Sequence, residues 1–175
     1  MAAKLIDLSF TLNGRKVKVQ IAPDTMLFAL LREQGCASVR CACETTNCGL
    51  CTVWLDGDPV LSCSVPAARV EGHSITTLEG LKAESEALAR AMAAEGAEQC
   101  GFCAPGLIMN VLAVARAAKE DPTLVATREE LSRQLAGNLC RCSGYESQLR
   151  AIVRFLNESG VQVGFELPEL PVNDT

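Results

Sequence analysis

Apolar and polar positions alternate at the start of the chain. Ile6, Leu8, Phe10 and Leu12 alternate with Asp7, Ser9 and Thr11, the period of a half-buried strand. Asn13-Gly14 is a strong hairpin-turn signal, and Val17, Val19 and Ile21 then alternate with Lys16, Lys18 and Gln20 on a return strand. Pro23-Asp24-Thr25 opens a short helix with Met26, Leu27, Leu30 and Leu31 on one side and Gly35 as its stop. Residues 36–51 read as a cysteine-dense loop. Thr52–Leu55 and Val60–Ser62 read as strands about an Asp56-Gly57 turn, and Ser74–Leu78 as a last short strand. Residues 1–80 are therefore expected to form a small mixed sheet crossed by one helix.

The texture then becomes helical. Residues 83–94 are alanine-rich with Glu and Arg. Pro105-Gly106 precedes an apolar helix from Leu107 to about Lys119, since Pro suits a first helical turn. After Asp121-Pro122, Thr127-x-x-Glu130 reads as a capping box for a helix ending near Gly137. Leu149, Ile152, Val153 and Leu156 mark one face of a further helix. Residues 81–160 are expected to be an all-α domain of about four helices. Residues 161–175, with Pro168 and Pro171 and no period, are expected to be an extended arm. The fold class expected is α+β.

Composition adds one unusual feature. Ten cysteines stand against a single histidine in 175 residues. That ratio argues against histidine-rich metal sites and histidine acid–base catalysis, and His73 falls in a loop. The net charge of −5 and an aromatic content of 4% give no sign of a nucleic-acid partner. No window approaches a membrane span, and the N-terminus does not read as a signal peptide. The expectation is a cytoplasmic chain, where clustered cysteines bind metal rather than form disulfides. An exported chain whose signal had been trimmed is the alternative.

Six cysteines lie between positions 36 and 63. Cys43-x4-Cys48-x2-Cys51, with Cys63 following after eleven intervening residues and expected to close a strand, has the plant-type [2Fe–2S] spacing. A register begun at Cys36 or Cys41 fails, so these two are expected to be packed or free thiols. The remaining four are Cys100-x2-Cys103 and Cys140-x-Cys142, each pair just ahead of an expected helix N-terminus. A dithiol redox enzyme needs two sulfurs rather than four. Zinc and iron–sulfur remain equally open here, the helix ends favouring an anionic cluster.

Longer motifs separate these alternatives. They are Cys48-Gly49-Leu50-Cys51-Thr52-Val53, Asp56 to Cys63, Thr77-Leu78-Glu79-Gly80-Leu81, Gln99-Cys100-Gly101-Phe102-Cys103-Ala104-Pro105-Gly106, and Gly137 to Tyr145 with the run Asn138-Leu139-Cys140-Arg141-Cys142-Ser143-Gly144. In these the chain resembles the small iron–sulfur subunit of the molybdenum hydroxylases, the xanthine oxidase family, in its split-subunit bacterial form. The resemblance implies a β-grasp, plant-type ferredoxin domain and a four-helix-bundle domain, each with one [2Fe–2S] cluster. It implies a large molybdopterin-binding partner subunit and, in many relatives, a separate FAD-binding medium subunit. It further implies that Gln99 hydrogen-bonds the pterin and that Cys142 lies between pterin and cluster. From its sequence setting alone, Gln99 reads as a solvated residue before a turn.

One departure stands out. The family's first loop is usually glycine-rich, whereas Cys43 to Cys51 here holds only Gly49, with Glu44-Thr45-Thr46-Asn47 between the first two cysteines. Glycine would allow left-handed backbone and close approach to the cluster sulfides. The expected function is electron transfer from a molybdenum centre through two clusters to flavin or another acceptor. The substrate, an N-heterocycle or an aldehyde, would be oxidised on the partner. A stand-alone ferredoxin-like carrier is the second reading, which leaves the helical half without a use. A zinc-stapled interaction module is the third.

Overall fold

A computed structural model describes residues 5–167 except positions 122 and 125. The first half is a five-stranded sheet. Its strands are β1 (Ile6–Leu12), β2 (Arg15–Ile21), β3 (Thr52–Leu55), β4 (Asp58–Leu61) and β5 (Ser74–Thr76), with helix α1 (Leu27–Glu33) between β2 and β3. The strand order is β2-β1-β5-β3-β4. The outer hairpins are antiparallel, and the central β1–β5 pair is parallel. Alternation sends Leu8, Phe10 and Leu12 inward against Leu27, Leu30 and Leu31 of α1 and Val53, Val70 and Ile75. Each such burial is worth about 2 kcal/mol. Pro59 sits on β4, an edge strand, where its missing N–H costs no ladder bond.

Two expected strands end earlier than their patterns suggest. β4 stops at Leu61, and a 3₁₀ turn over Ser62–Ser64 carries Cys63. β5 stops at Thr76, and Leu78–Gly80 is another such turn. Cys63 therefore lies one turn beyond its strand rather than closing it. At the strand's end the Ser62 hydroxyl and amide both donate to the Cys51 carbonyl, at 2.8 and 3.2 Å, so the turn that carries Cys63 is tied to Cys51.

The second half holds α2 (Lys82–Ala94), α3 (Ala104–Glu120), α4 (Arg128–Leu135) and α5 (Glu146–Glu158). Their core centres on Leu88, Met92, Met109, Leu131, Ile152 and Leu156. The Thr127 hydroxyl caps α4 by accepting from the Glu130 amide at 3.1 Å. The reciprocal half of the expected box is not made, because the Glu130 carboxylate turns to Gln134 and Arg133 instead. Residues 161–167 run back over these helices. Ala126 donates to Gln162 and accepts from Gly164, Val161 is buried, and Phe165 and Leu167 rest on the core. The rest of the expected arm, 168–175, lies outside the described residues.

The halves meet at Trp54 and at the start of α3. Trp54 on β3 belongs to the helical core and donates its indole N–H to the Met109 carbonyl at 3.0 Å. The Arg116 guanidinium stacks 4.8 Å over that ring and donates to the Gly57 carbonyl. Gly106, in the first turn of α3, lies so close to Gly49 and Leu50 that a Cβ would stand 3.0 Å from the Leu50 Cα. Among the described residues no helix is long and apolar enough to cross a membrane.

Candidate metal centres

The first site is built by the loop between α1 and β3. Cys48 and Cys51 are buried, while Cys43 and Cys63 are half-buried, and all are free thiols. Glu44 and Thr46 have φ of 51° and 61°. Both are left-handed, in the loop where the resemblance leads one to expect glycines, so the geometry is kept at a steric cost to two ordinary residues. It turns successive amides onto one sulfur. The Asn47 N–H donates to Cys43 Sγ at 3.4 Å. This is an anion-binding nest of backbone N–H groups. The Thr45 and Asn47 amides, then the Cys48 thiol, bring Cys43 down to about 6. Burial and then the neighbouring Cys51 push Cys63 up to about 12.

The second site gathers sulfurs distant in sequence. Cys103 is the residue before α3, and Cys140 and Cys142 lie in the turn leading to α5. Cys100 Sγ and Cys142 Sγ are 3.5 Å apart. The Gln148 amide donates to Cys103 Sγ at 3.5 Å, and the Ser143 hydroxyl and amide donate to Cys140 Sγ at 3.2 and 3.4 Å. The Tyr145 hydroxyl accepts from the Cys140 amide at 2.9 Å. Burial raises the Cys140 thiol, but the Ser143 hydroxyl and amide outweigh it and bring the group down to about 7. Burial, with Cys140 beside it, pushes Cys103 up to about 11. The Phe102 amide and then the Cys142 thiol lower Cys100, and Cys100 in turn raises Cys142.

The donor sets suit two-iron clusters. Sulfurs this close cannot all be anionic without cations among them, because like charges oppose each other's ionisation. Two irons bridged by sulfide provide those cations and take four thiolates. Among the described residues no three His, Cys, Asp or Glu side chains converge on a single-ion site. The sulfurs meet in neighbouring pairs instead: Cys43 with Cys48, Cys51 with Cys63, Cys100 with Cys142 and Cys103 with Cys140. The amide donors stand ready for the excess negative charge of such a cluster.

Other expected residues fall as follows. Gln99 is exposed and donates its amide to the Cys142 carbonyl at 3.0 Å, so the two candidates for the pterin side are in contact. Cys36 is buried in the sheet core, where burial raises its thiol, and it accepts from the Thr77 hydroxyl at 3.8 Å. Cys41 is half-buried near Cys63. His73 is exposed and bonds Asp56 at 2.5 Å, away from both sites. Sequence reasoning missed Gln148, Ser143 and Tyr145. Ser143 carried a signal, three residues after Cys140; Gln148 carried none, being 45 residues from Cys103.

Comparison with known proteins agrees with this geometry. Residues 10–75 match the family described as 2Fe-2S iron-sulfur cluster binding domain, and residues 77–153 match the [2Fe-2S] binding domain family. The xanthine dehydrogenase iron-sulfur-binding subunit of Escherichia coli O157:H7 is 42% identical over 154 residues, covering 86% of this chain and 94% of its own. The nicotinate dehydrogenase small FeS subunit of Eubacterium barkeri is 37% identical, covering 87% and 96%. Among solved structures, quinoline 2-oxidoreductase from Pseudomonas putida 86 superposes with a TM-score of 0.79 at 34% identity, covering 90% of this chain and 98% of the matched one. Coverage of 86% of this chain at 42% identity, with both cluster-binding families matched in order, shows that the chain belongs to the two-cluster [2Fe–2S] subunits of the xanthine dehydrogenase family.

Proposed function

We propose that the chain is the electron-transfer subunit of a molybdopterin-dependent hydroxylase. In this reading Cys43, Cys48, Cys51 and Cys63 hold one [2Fe–2S] cluster, and Cys100, Cys103, Cys140 and Cys142 hold the other. Each cluster supplies a site that takes up and gives back one electron. A large partner subunit carries the molybdopterin and oxidises the substrate, and a further partner carries FAD. The described part of residues 1–80 is then a β-grasp ferredoxin domain and that of 81–160 a four-helix bundle, with a C-terminal arm beginning at 161.

The second site faces the large subunit. Cys100, Cys142 and Gln99 are exposed, and Phe102, Leu139 and Tyr145 around them are 45%, 50% and 45% exposed. A ring of large apolar side chains about polar groups is the composition of a protein interface. Gln99 and the Cys142 backbone are the groups placed to meet the pterin. The first site faces the acceptor through the exposed polar residues Glu44, Thr45, Thr46 and Asn47.

The observation that carries the reading is the junction between the sites. The Leu139 amide, one peptide bond from Cys140, donates to the Cys48 carbonyl at 2.9 Å. Asn138 donates to the Gly49 carbonyl at 3.3 Å and is itself held by Asn110 at 2.7 Å. The two donor sets are thus joined by hydrogen bonds across a seam in which Cys48, Gly49 and Asn138 are buried. A stand-alone carrier has no use for a second site or this seam.

A Cys48→Ser variant tests the order of transfer. In the assembled complex, substrate should still reduce the molybdenum centre and the remaining cluster, while turnover with the external acceptor falls at least about a hundredfold, as for loss of a required electron-transfer step. Loss of substrate reduction at the remaining cluster, in a complex that keeps its molybdenum cofactor, would contradict the order.

A further inference from the structure

Arg40 belongs to the first loop, three residues before Cys43, yet its side chain ends at the second site. Its backbone amide donates to the Leu50 carbonyl at 3.3 Å, which ties it between Cys48 and Cys51. Its guanidinium donates to the Gly101 carbonyl at 2.5 Å and lies 5.2 Å over the Phe102 ring. Gly101 has φ +71°, a left-handed conformation that favours glycine. Arg40 holds the oxygen of the Gly101–Phe102 peptide unit. The N–H of the same unit, on Phe102, is the first influence that lowers the Cys100 thiol.

We propose that Arg40 is a positioning residue for the second cluster, fixing and polarising the Gly101–Phe102 peptide so that its N–H stabilises the added negative charge when that cluster takes up an electron. A cation on the carbonyl strengthens the N–H as a donor, since hydrogen bonds in a chain polarise one another. Hydrogen bonds to cluster sulfurs and nearby charge both set cluster potentials. The planar guanidinium holds the oxygen and stacks on Phe102 together, which a lysine ammonium cannot do. The residue comes from the other half of the chain, so the second cluster reaches its full potential only when the halves are docked. The inference rests on the assignment of Cys100 as a ligand.

The test is a redox titration of the assembled complex followed by electron paramagnetic resonance, for wild type, Arg40→Gln and Arg40→Lys. At the wild-type midpoint of the second cluster, Arg40→Gln should lower its reduced-to-oxidised ratio about tenfold, a one-electron shift of about 59 mV to more negative potential. Arg40→Lys should lower it about threefold, and the first cluster should move less than the second. A second-cluster midpoint unchanged in Arg40→Gln would overturn the inference. So would a larger shift at the first cluster, which would mean that the charge acts on its own loop. A wild-type complex without a second signal would instead refute the ligand assignment. Should Arg40→Gln lose the cluster, wild-type complex labelled with ¹⁵N-phenylalanine decides. The Phe102 nitrogen should show hyperfine coupling to the reduced second cluster, and its absence would overturn the inference.

Discussion

The two sites reach the same donor set by different routes. The first lies in a single loop, with three of its four sulfurs within nine residues and Cys63 delivered by the following hairpin. Its Cys43 thiol is served by amides of the same loop, held in place by left-handed backbone at Glu44 and Thr46. The second joins the start of α3 to the turn before α5 and draws its side-chain donors from Ser143 and Gln148. Local strain shapes the first site, and packing between elements shapes the second. Their surroundings differ in the same sense: exposed polar side chains border the first, and exposed apolar ones border the second.

The seam between the sites should be the most sensitive place to break this contrast. In Gly106→Ala the new Cβ meets the backbone of Gly49 and Leu50, which cannot swing aside. The cost should be about 3 kcal/mol, the upper part of the usual range for overpacking. The second cluster should be lost first, because α3 must shift to relieve the clash. Thermal bleaching followed separately for each cluster checks this, and equal loss of both would show that the first site depends on packing as much as the second.

A smaller effect should fall on the first site alone. The Glu79 carboxylate accepts from the Ser38 amide and hydroxyl, at 2.8 and 2.7 Å, and from Thr77, tying the linker to the chain leading into the loop. Burial opposes ionisation of Glu79, but the Ser38 hydroxyl, the Thr77 hydroxyl and the Ser38 amide together hold its carboxyl below the usual range. A depressed carboxylate stabilises the fold above its ordinary pKa, and that contribution fades as pH falls through the lowered value. Glu79→Gln should therefore cost about 1 kcal/mol at neutral pH, the difference between charged and neutral hydrogen bonds. The difference from wild type should shrink as pH falls below the ordinary glutamate range and vanish only beneath the lowered Glu79 value. Denaturation midpoints at neutral and acid pH measure it.

The smallest effect should be a gain. Thr46→Gly relieves a left-handed β-branched residue, worth about 1–2 kcal/mol, and returns about half of that as unfolded-chain entropy. The first cluster should bleach more slowly, with no change at the second. Faster bleaching would mean that the Thr46 side chain shields the site more than its backbone strains it.

These sites were legible in the sequence to different degrees. The strand alternation of β1 and β2, the Asn13-Gly14 turn and the Thr127 cap are local rules, and the structure follows them. The first ligand spacing is local too. For the second site the spacing left zinc and iron–sulfur open, and only the longer motifs separated them. Contacts between elements left no periodic trace: Arg40 with Gly101 is 61 residues apart, and Ser38 with Glu79 is 41 apart. Cys63 lies in a 3₁₀ turn just past its strand, tied back by the Ser62 hydroxyl to the Cys51 carbonyl, a side-chain contact that strand alternation does not signal.

Counting iron and acid-labile sulfide in the purified complex, together with the electron paramagnetic resonance spectrum of its reduced form, tests the two-site account most directly. Two [2Fe–2S] clusters require about four irons and four sulfides per copy of this chain, with two distinct signals of equal spin. About two irons per chain, or zinc at the Cys100, Cys103, Cys140 and Cys142 site, would contradict it.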